Sequence, residues 1–88
     1  MARSRRQALW DRVASRDMRN VGFAEFCRLI EAHGFRLRRV SGSHYIYSHP
    51  TVPRPLSLQP RQGEAKPYQI SQFPELVKEY GLTMERRR

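Results

Sequence analysis

Residues 35–48 read FRLRRVSGSHYIYS and contain the strongest local structural signal in the chain. Residues 35–40 and 43–48 are rich in β-branched, aromatic and alternating side chains, a composition typical of strands. Ser41 and Gly42 lie between them, and a two-residue loop that contains glycine favours a tight hairpin. The stretch therefore predicts an antiparallel hairpin with Ser41 and Gly42 as its turn.

This turn fixes a register in which Arg39 pairs with His44, and it assigns each side chain to a face. Phe35, Leu37 and Ile46 are predicted to point to the core, with Arg39 and His44 on the same face at the turn end, beyond the cover of the helices. The opposite face then carries Arg36, Arg38, Tyr45 and Tyr47. Cations alternating with phenol rings suit single-stranded or locally opened RNA, although an ordinary solvated face has the same appearance.

Helical patterns precede the hairpin. Ser4 and Gln7 resemble a capping box at the start of a first helix, and apolar residues follow at helical spacing. Gly22 and Glu25 open a second helix, which Gly34 closes as the residue after the C-cap. Two helices are therefore predicted before the first strand.

A third strand and a last helix follow the hairpin. A proline-rich extended loop leads to alternating residues 56–59, which predict a short strand. The last helix is predicted to begin at Pro67 with a kink, or at Ser71 with Pro74 in its first turn. The element order predicts an α+β fold: a three-stranded antiparallel sheet with helices on one face.

The size and charge of the chain narrow its function. Its 88 residues predict one domain, with a core over about residues 20–82 and basic tails at 1–6 and 86–88. Large cofactor-binding folds are excluded, and no cofactor is expected. Seventeen Lys and Arg against eight Asp and Glu give a net charge of +9, which indicates a polyanionic partner, with general solubility as the alternative.

Charge is unevenly distributed along the chain. No carboxylate occurs between Glu31 and Glu64, a stretch that holds all three histidines and five arginines, and phosphate is expected to bind there. No apolar run approaches the length of a membrane span, and the arginine-rich start lacks the apolar segment of a secretory signal. Cys27 is the only cysteine, so an internal disulfide is impossible. We expect a cytoplasmic protein without membrane association.

His44 is the candidate catalytic residue. It follows the glycine turn, neighbours Arg39 in the predicted register, and titrates near neutrality, so it could exchange protons without a metal. A lone histidine in a hairpin is more often a polar surface residue, and His33 and His49 are interpreted as a helix-end and a loop residue. Metal-dependent nucleases need clustered carboxylates, so no metal site is predicted. Residues 63–66 are too short for a phosphate-binding P-loop.

Several segments together resemble a known family. The run 39–47, with its Gly-Ser-His unit, and residues 56–60 look like the HicA toxins of bacterial HicAB toxin–antitoxin pairs, and residues 65–70 resemble one branch of them. The resemblance covers about residues 20–82. It implies a fold like a double-stranded-RNA-binding domain, ribosome-independent cleavage of mRNA, and inhibition by a HicB partner. By motif position, His44 inherits the catalytic role and Gly42 the turn that presents it.

The chain departs from this family at one motif. Many members carry Pro-x-His near the third strand, whereas this chain has Gln59-Pro60-Arg61, so Arg61 or Lys66 is expected to supply charge there. A non-catalytic RNA-binding module and a small DNA-binding regulator remain alternatives. With His44 as the catalytic residue, the predicted RNA-binding residues are Arg36, Arg38, Arg39, Gly42, Ser43, Tyr45, Tyr47, Arg61 and Lys66.

Overall fold

A computed structural model describes residues 4–17 and 19–84, so the predicted tail residues 1–3 and 86–88 lie outside the described part of the chain. The described residues form helices α1 (Arg5–Ala14), α2 (Phe23–Ala32) and α3 (Pro67–Tyr80). The strands are β1 (Arg36–Ser41), β2 (His44–His49), β3 (Val52–Leu58), β4 (Pro60–Arg61) and β5 (Glu64–Ala65).

The helix ends agree with the signals in the sequence. The backbone N–H of Gln7 donates to Ser4 Oγ at 3.0 Å, which confirms Ser4 as the N-cap of α1. Helix α3 begins at Pro67, the earlier of the two predicted starts, and contains Pro74. It ends at Gly81, whose φ of 61° is left-handed and therefore favours glycine.

The hydrophobic core is centred on the ring of Phe73. Four rings surround that of Phe73 at centroid distances of 5.0–6.2 Å: those of Trp10, Phe26, His33 and Phe35. The rings of Trp10 and His33 also contact each other, at 4.9 Å. Trp10 belongs to α1, which also buries Leu9 and Val13. Helix α1 therefore packs on the core of the domain.

Strands β1, β2 and β3 form an antiparallel sheet in that order, which confirms the predicted architecture. Helix α2 and the core contact one face of this sheet, through Tyr45, Tyr47 and Leu58. The order α2-β1-β2-β3-α3 is that of a double-stranded-RNA-binding domain, with α1 added before it. The fold is α+β, as the sequence predicts.

The predicted turn was wrong by one residue, which displaces the strand pairing next to it by two. Ser41 pairs with His44 and Val40 with Tyr45, so the two turn residues are Gly42 and Ser43. Gly42 has a φ of 60°, and a glycine with positive φ at the first turn position is the requirement of a type II′ turn. This shift alone leaves the relative faces of the two strands unchanged, because it moves each β2 residue by two positions along β1, with Ser41 in place of Arg39 opposite His44.

A one-residue bulge in β1 changes the faces: past it, Tyr47 and not Ile46 lies on the face of Leu37. The pairing passes from Leu37 with Tyr47 to Arg39 with Ile46, which leaves Arg38 as the extra residue. Phe35 remains buried, as predicted, while Arg39 moves to the face opposite the helices. Leu37 lies on the predicted face but is 44% exposed, because β1 is an edge strand at the margin of the helix layer.

The chain between β3 and α3 also differs from expectation. Strand β3 begins at Val52, earlier than predicted, and includes two prolines, which an edge strand tolerates. The predicted turn near residues 61–65 is a small hairpin of β4 and β5 around Gln62 and Gly63, and its Glu64 forms a bridge with Gly22 at the start of α2. This hairpin leads the chain to the start of α3, beside the open edge of β3.

Candidate functional site

His44 lies at the first position of β2, exposed, on the sheet face opposite the helices. Its Nδ1 is 3.4 Å from the hydroxyl oxygen of Ser57 on β3, at the long end of hydrogen-bond distances. The predicted face was wrong, because the bulge at Arg38 places His44 on the face opposite Leu37, away from the core. The consequence is an imidazole that the helices do not cover.

Arg39 shares the open face with His44 but is not its direct partner. It pairs with Ile46, one step further from the turn, which makes it a diagonal neighbour of His44. Diagonal positions in an antiparallel pair are about 7–8 Å apart, within reach of a guanidinium. Arg36 pairs with Ser48 and lies on the same face, while Arg38 is the bulged residue. All three arginines are exposed, so β1 is a cationic edge beside His44.

The hairpin turn is tied to the start of α3 by a chain of side-chain hydrogen bonds. Gln59 Nε2 donates to Ser43 Oγ at 2.9 Å, and Lys66 Nζ donates to Gln59 Oε1 at 2.8 Å. Ser43 immediately precedes His44, so the two predicted residues Ser43 and Lys66 meet through Gln59. Gln59 has no role among the sequence predictions, and its only signal in the sequence is its position in the motif that departs from Pro-x-His.

Gln69 fixes α3 against the free edge of β3. Its Oε1 accepts from the backbone N–H of Gln59 and its Nε2 donates to the carbonyl of Ser57, both at 3.4 Å. The amide thus occupies the place of a neighbouring strand, which satisfies edge groups that would otherwise need water. Gln69 is buried, and its helical spacing with Ile70 and Phe73 was the available sequence signal.

Two predicted RNA-binding residues face the core instead of solvent. The Tyr47 side chain is 2% exposed and its hydroxyl donates to Glu31 Oε2 at 3.0 Å. Burial, followed by hydrogen bonds to Cys27 and Glu31, raises the pKa of Tyr47 far above its ordinary value. Tyr45 is half-buried with its ring 4.9 Å from that of Phe23. The predicted tyrosine face was wrong, because the bulge at Arg38 brings Tyr47 opposite Leu37 on the core face.

Arg61 lies in the separate two-stranded sheet, where it pairs with Glu64. That sheet is separate from the three-stranded sheet that carries His44. A carboxylate directly across a strand pair from a guanidinium offsets its charge, so Arg61 is a weaker candidate for phosphate binding than Lys66.

The other two histidines have structural environments. His33 is buried, and its Nδ1 donates to the carbonyl of Leu29 at 2.9 Å. Burial lowers the pKa of His33, so the neutral form is favoured. His49 packs its ring on Phe35 at 5.0 Å, and its Nδ1 accepts from the backbone N–H of Thr51 at 3.1 Å. His33 lies at the end of α2, as predicted, whereas His49 is the last residue of β2 and not a loop residue.

Neither a cluster of metal-ligating side chains nor a membrane-spanning helix is found among the described residues. No three His, Cys, Asp or Glu side chains among residues 4–17 and 19–84 come together as a possible metal site. None of the helices in the same ranges has the length and hydropathy to cross a membrane.

The fold and the site define a class of protein: a small α+β domain, like a double-stranded-RNA-binding domain, with an exposed histidine on a cationic hairpin. Residues 23–82 match the family described as the HicA toxin of bacterial toxin–antitoxin systems. The chain belongs to this family. No curated protein and no solved structure gives a significant match. Membership assigns the chain to the toxins of such systems and implies an antitoxin partner, and it leaves α1 outside the matched segment.

Proposed function

We propose that this HicA toxin is an endoribonuclease that cleaves mRNA in the cytoplasm without a metal ion, with His44 as its general acid or base. The observation that carries the proposal is the exposed His44 imidazole at the turn end of a cationic hairpin. A single imidazole is the group whose ordinary pKa allows it to accept and release protons near neutral pH.

The proposed reaction needs only the ribose next to the scissile phosphate. His44 takes the proton of the 2′-hydroxyl, the 2′-oxygen forms a bond to phosphorus, and the bond from phosphorus to the 5′-oxygen breaks. The products are a 2′,3′-cyclic phosphate and a 5′-hydroxyl, whose proton comes from the imidazolium or from water. Since Nδ1 contacts Ser57, Nε2 is the nitrogen that we assign to the RNA.

Charge stabilisation is assigned to two cations on either side of His44. Arg39 is the diagonal neighbour on β1, and Lys66 is held by Gln59, which also holds Ser43 beside His44. Positioned cations stabilise the negative charge that develops on the phosphorane. A metal is not needed for this role, and the carboxylate-free stretch between Glu31 and Glu64 supports a reaction without one.

RNA binding is assigned to the exposed edge strand and the turn. Arg36 and Arg38 extend the positive charge along β1, and their contacts are expected to be with phosphate. The Gly42–Ser43 turn is assigned to close backbone contact with the RNA, because Gly42 has no side chain in the way. The space where a Cβ would lie at Gly42 is open. Arg61 is retained as a peripheral contact.

The antitoxin is proposed to be a HicB-like protein that covers the open sheet face and obstructs His44. A partner at this surface has to complement three exposed arginines of β1, so an acidic binding surface is expected. Inhibition would then result from blocked access to the imidazole.

The test compares two histidines in the same protein. Purified wild type, His44→Gln and His49→Gln are incubated with an end-labelled transcript, with and without EDTA. We expect the His44→Gln variant to lose about 10²- to 10⁴-fold in cleavage rate, because glutamine cannot exchange a proton at neutral pH. The His49→Gln variant, altered outside the face that carries His44, should cut at the wild-type rate, and EDTA should have no effect.

Two results would contradict the proposal. Cleavage at the wild-type rate by the His44→Gln variant would remove His44 as the catalytic residue. Loss of wild-type cleavage in EDTA, restored by a divalent ion, would remove the metal-independent mechanism. Wild-type protein that retards the transcript in a gel without shortening it would identify a binding module instead.

A further inference from the structure

We propose that Tyr68 is a stacking platform for an RNA base next to the nucleotide whose phosphate meets His44. This inference rests on the proposed function, and it names the structural feature by which the same site would hold an unpaired base. Tyr68 lies in the first turn of α3, directly after Pro67, and its side chain is 56% exposed.

A short series of contacts places the Tyr68 ring beside the open face of the sheet. The Tyr68 hydroxyl oxygen accepts from Gln69 Nε2 at 3.4 Å, and the same nitrogen donates to the carbonyl of Ser57. The hydroxyl of Ser57 in turn lies 3.4 Å from His44 Nδ1. Tyr68 is therefore at the edge of β3 that adjoins the imidazole.

The ring is held in place without being part of the core. Pro67 restricts the backbone before it, and the buried Gln69 clamps the same helical turn to β3. A single exposed aromatic residue is common on protein surfaces and would carry no argument alone. Tyr68 follows Lys66 by two residues, and the Lys66 ammonium group is held by Gln59. Sites for single-stranded nucleic acid combine such a cation with an aromatic ring on which a base stacks.

Tyr68 presents an exposed ring, which the other two tyrosines near the site do not. Tyr47 is buried and Tyr45 packs against Phe23, so neither presents a free ring face on the cationic surface. Recognition of unpaired RNA uses aromatic stacking together with phosphate contacts. The structure combines Tyr68 for the first task with Lys66 and Arg39 for the second.

The experiment measures binding separately from cleavage. A single-stranded RNA of mixed sequence with a methyl group on every 2′-oxygen lacks the nucleophile, so it stays intact whether or not His44 is catalytic. 2-Aminopurine at successive positions reports stacking as quenched fluorescence. The proteins are wild type, Tyr68→Ala, Tyr68→Phe, and Tyr80→Ala as the aromatic control at the other end of α3.

We expect Tyr68→Ala to raise the Kd about 5-fold to about 150-fold, the range for loss of one base–aromatic stack, and to abolish quenching at one position. Tyr68→Phe and Tyr80→Ala should bind as the wild type does, and circular dichroism should show all variants folded. Unchanged RNA affinity in folded Tyr68→Ala would overturn the inference, as would an equal loss in Tyr68→Phe. Weakened binding of the antitoxin alone would also overturn it, since the ring would then be a protein contact. Failure of the cleavage test at His44 leaves each of these readouts intact.

Discussion

Substitution of Tyr47 by phenylalanine tests the register of the hairpin, on which the position of His44 depends. In the predicted register Tyr47 faces the RNA, whereas in the structure its hydroxyl is buried and donates to Glu31 at 3.0 Å. Tyr47→Phe removes that hydroxyl and leaves the ring. The two registers therefore predict effects on different properties, RNA affinity in one case and stability in the other.

The expected loss of stability follows from the type of hydrogen bond. A hydrogen bond to a charged group contributes about 1.5–3 kcal/mol to stability. Glu31 is exposed and can be rehydrated when the hydroxyl is removed, so we expect the lower end, about 1.5 kcal/mol. For a domain of this size, a change of that magnitude lowers the Tm by about 6–12 °C.

The assay is urea and thermal unfolding followed by circular dichroism, together with RNA cleavage by the same preparations. Tyr45→Phe is the matched control, because the Tyr45 hydroxyl makes no hydrogen bond to any described residue. It should change the unfolding free energy by less than about 0.5 kcal/mol. Wild-type stability in Tyr47→Phe, combined with weakened RNA binding, would refute the observed register and favour the predicted one.

The remaining predictions concern pH and the hairpin turn. Burial lowers the pKa of His33 in the folded protein, so folding favours the neutral imidazole. The free energy of unfolding is therefore undiminished by His33 above about pH 6.5 and decreases as the pH falls below that value, by at most about 1.4 kcal/mol per pH unit. Urea unfolding at pH 7.5 and 5.0 should show this loss, and His33→Gln should reduce the difference; an equal difference in the variant would contradict the assignment. Gly42→Ala should destabilise the protein by about 1–2 kcal/mol, because φ is 60° while the space around the residue is open. Gly42→Asn should cost less in the same assay, and equal stability of the alanine variant and the wild type would exclude the left-handed turn.

Local sequence signals predicted the three helices, the three strands of the main sheet and the candidate histidine, but not the β4–β5 hairpin or the start of β3. The Ser4 cap, the glycine after α2 and the alternating strands act over a few residues, so their physical causes are visible in the chain itself. The Gly-Ser-His unit likewise placed His44 at the start of a strand beside a turn. The exposure of that histidine agrees with the role assigned to it from the sequence.

The faces of the hairpin depended on tertiary packing. The turn can be Ser41-Gly42 or Gly42-Ser43, and in a regular hairpin either choice keeps His44 on the face of Arg39. The one-residue bulge in β1 is what sends Tyr45 and Tyr47, instead of His44 and Ile46, to the core. The structure adopts the second turn, in which Gly42 takes the left-handed position, Tyr47 reaches Glu31 on α2, and the bulge at Arg38 keeps Phe35 buried. The contacts of Tyr45 with Phe23 and of Tyr47 with Glu31 stabilise this arrangement, and both partners belong to α2, which is well separated from the turn.

The links around His44 join parts of the chain that are remote in sequence. Lys66 meets Ser43 through Gln59, and Gln69 closes the free edge of β3 with its side-chain amide. Such contacts require the β4–β5 hairpin to return the chain to β3, a path that no periodicity reveals. The amino-acid order thus specified the helices, the strands and the catalytic candidate, whereas the folded chain selected which side chains surround it, because long-range packing determines the strand faces and the position of α3.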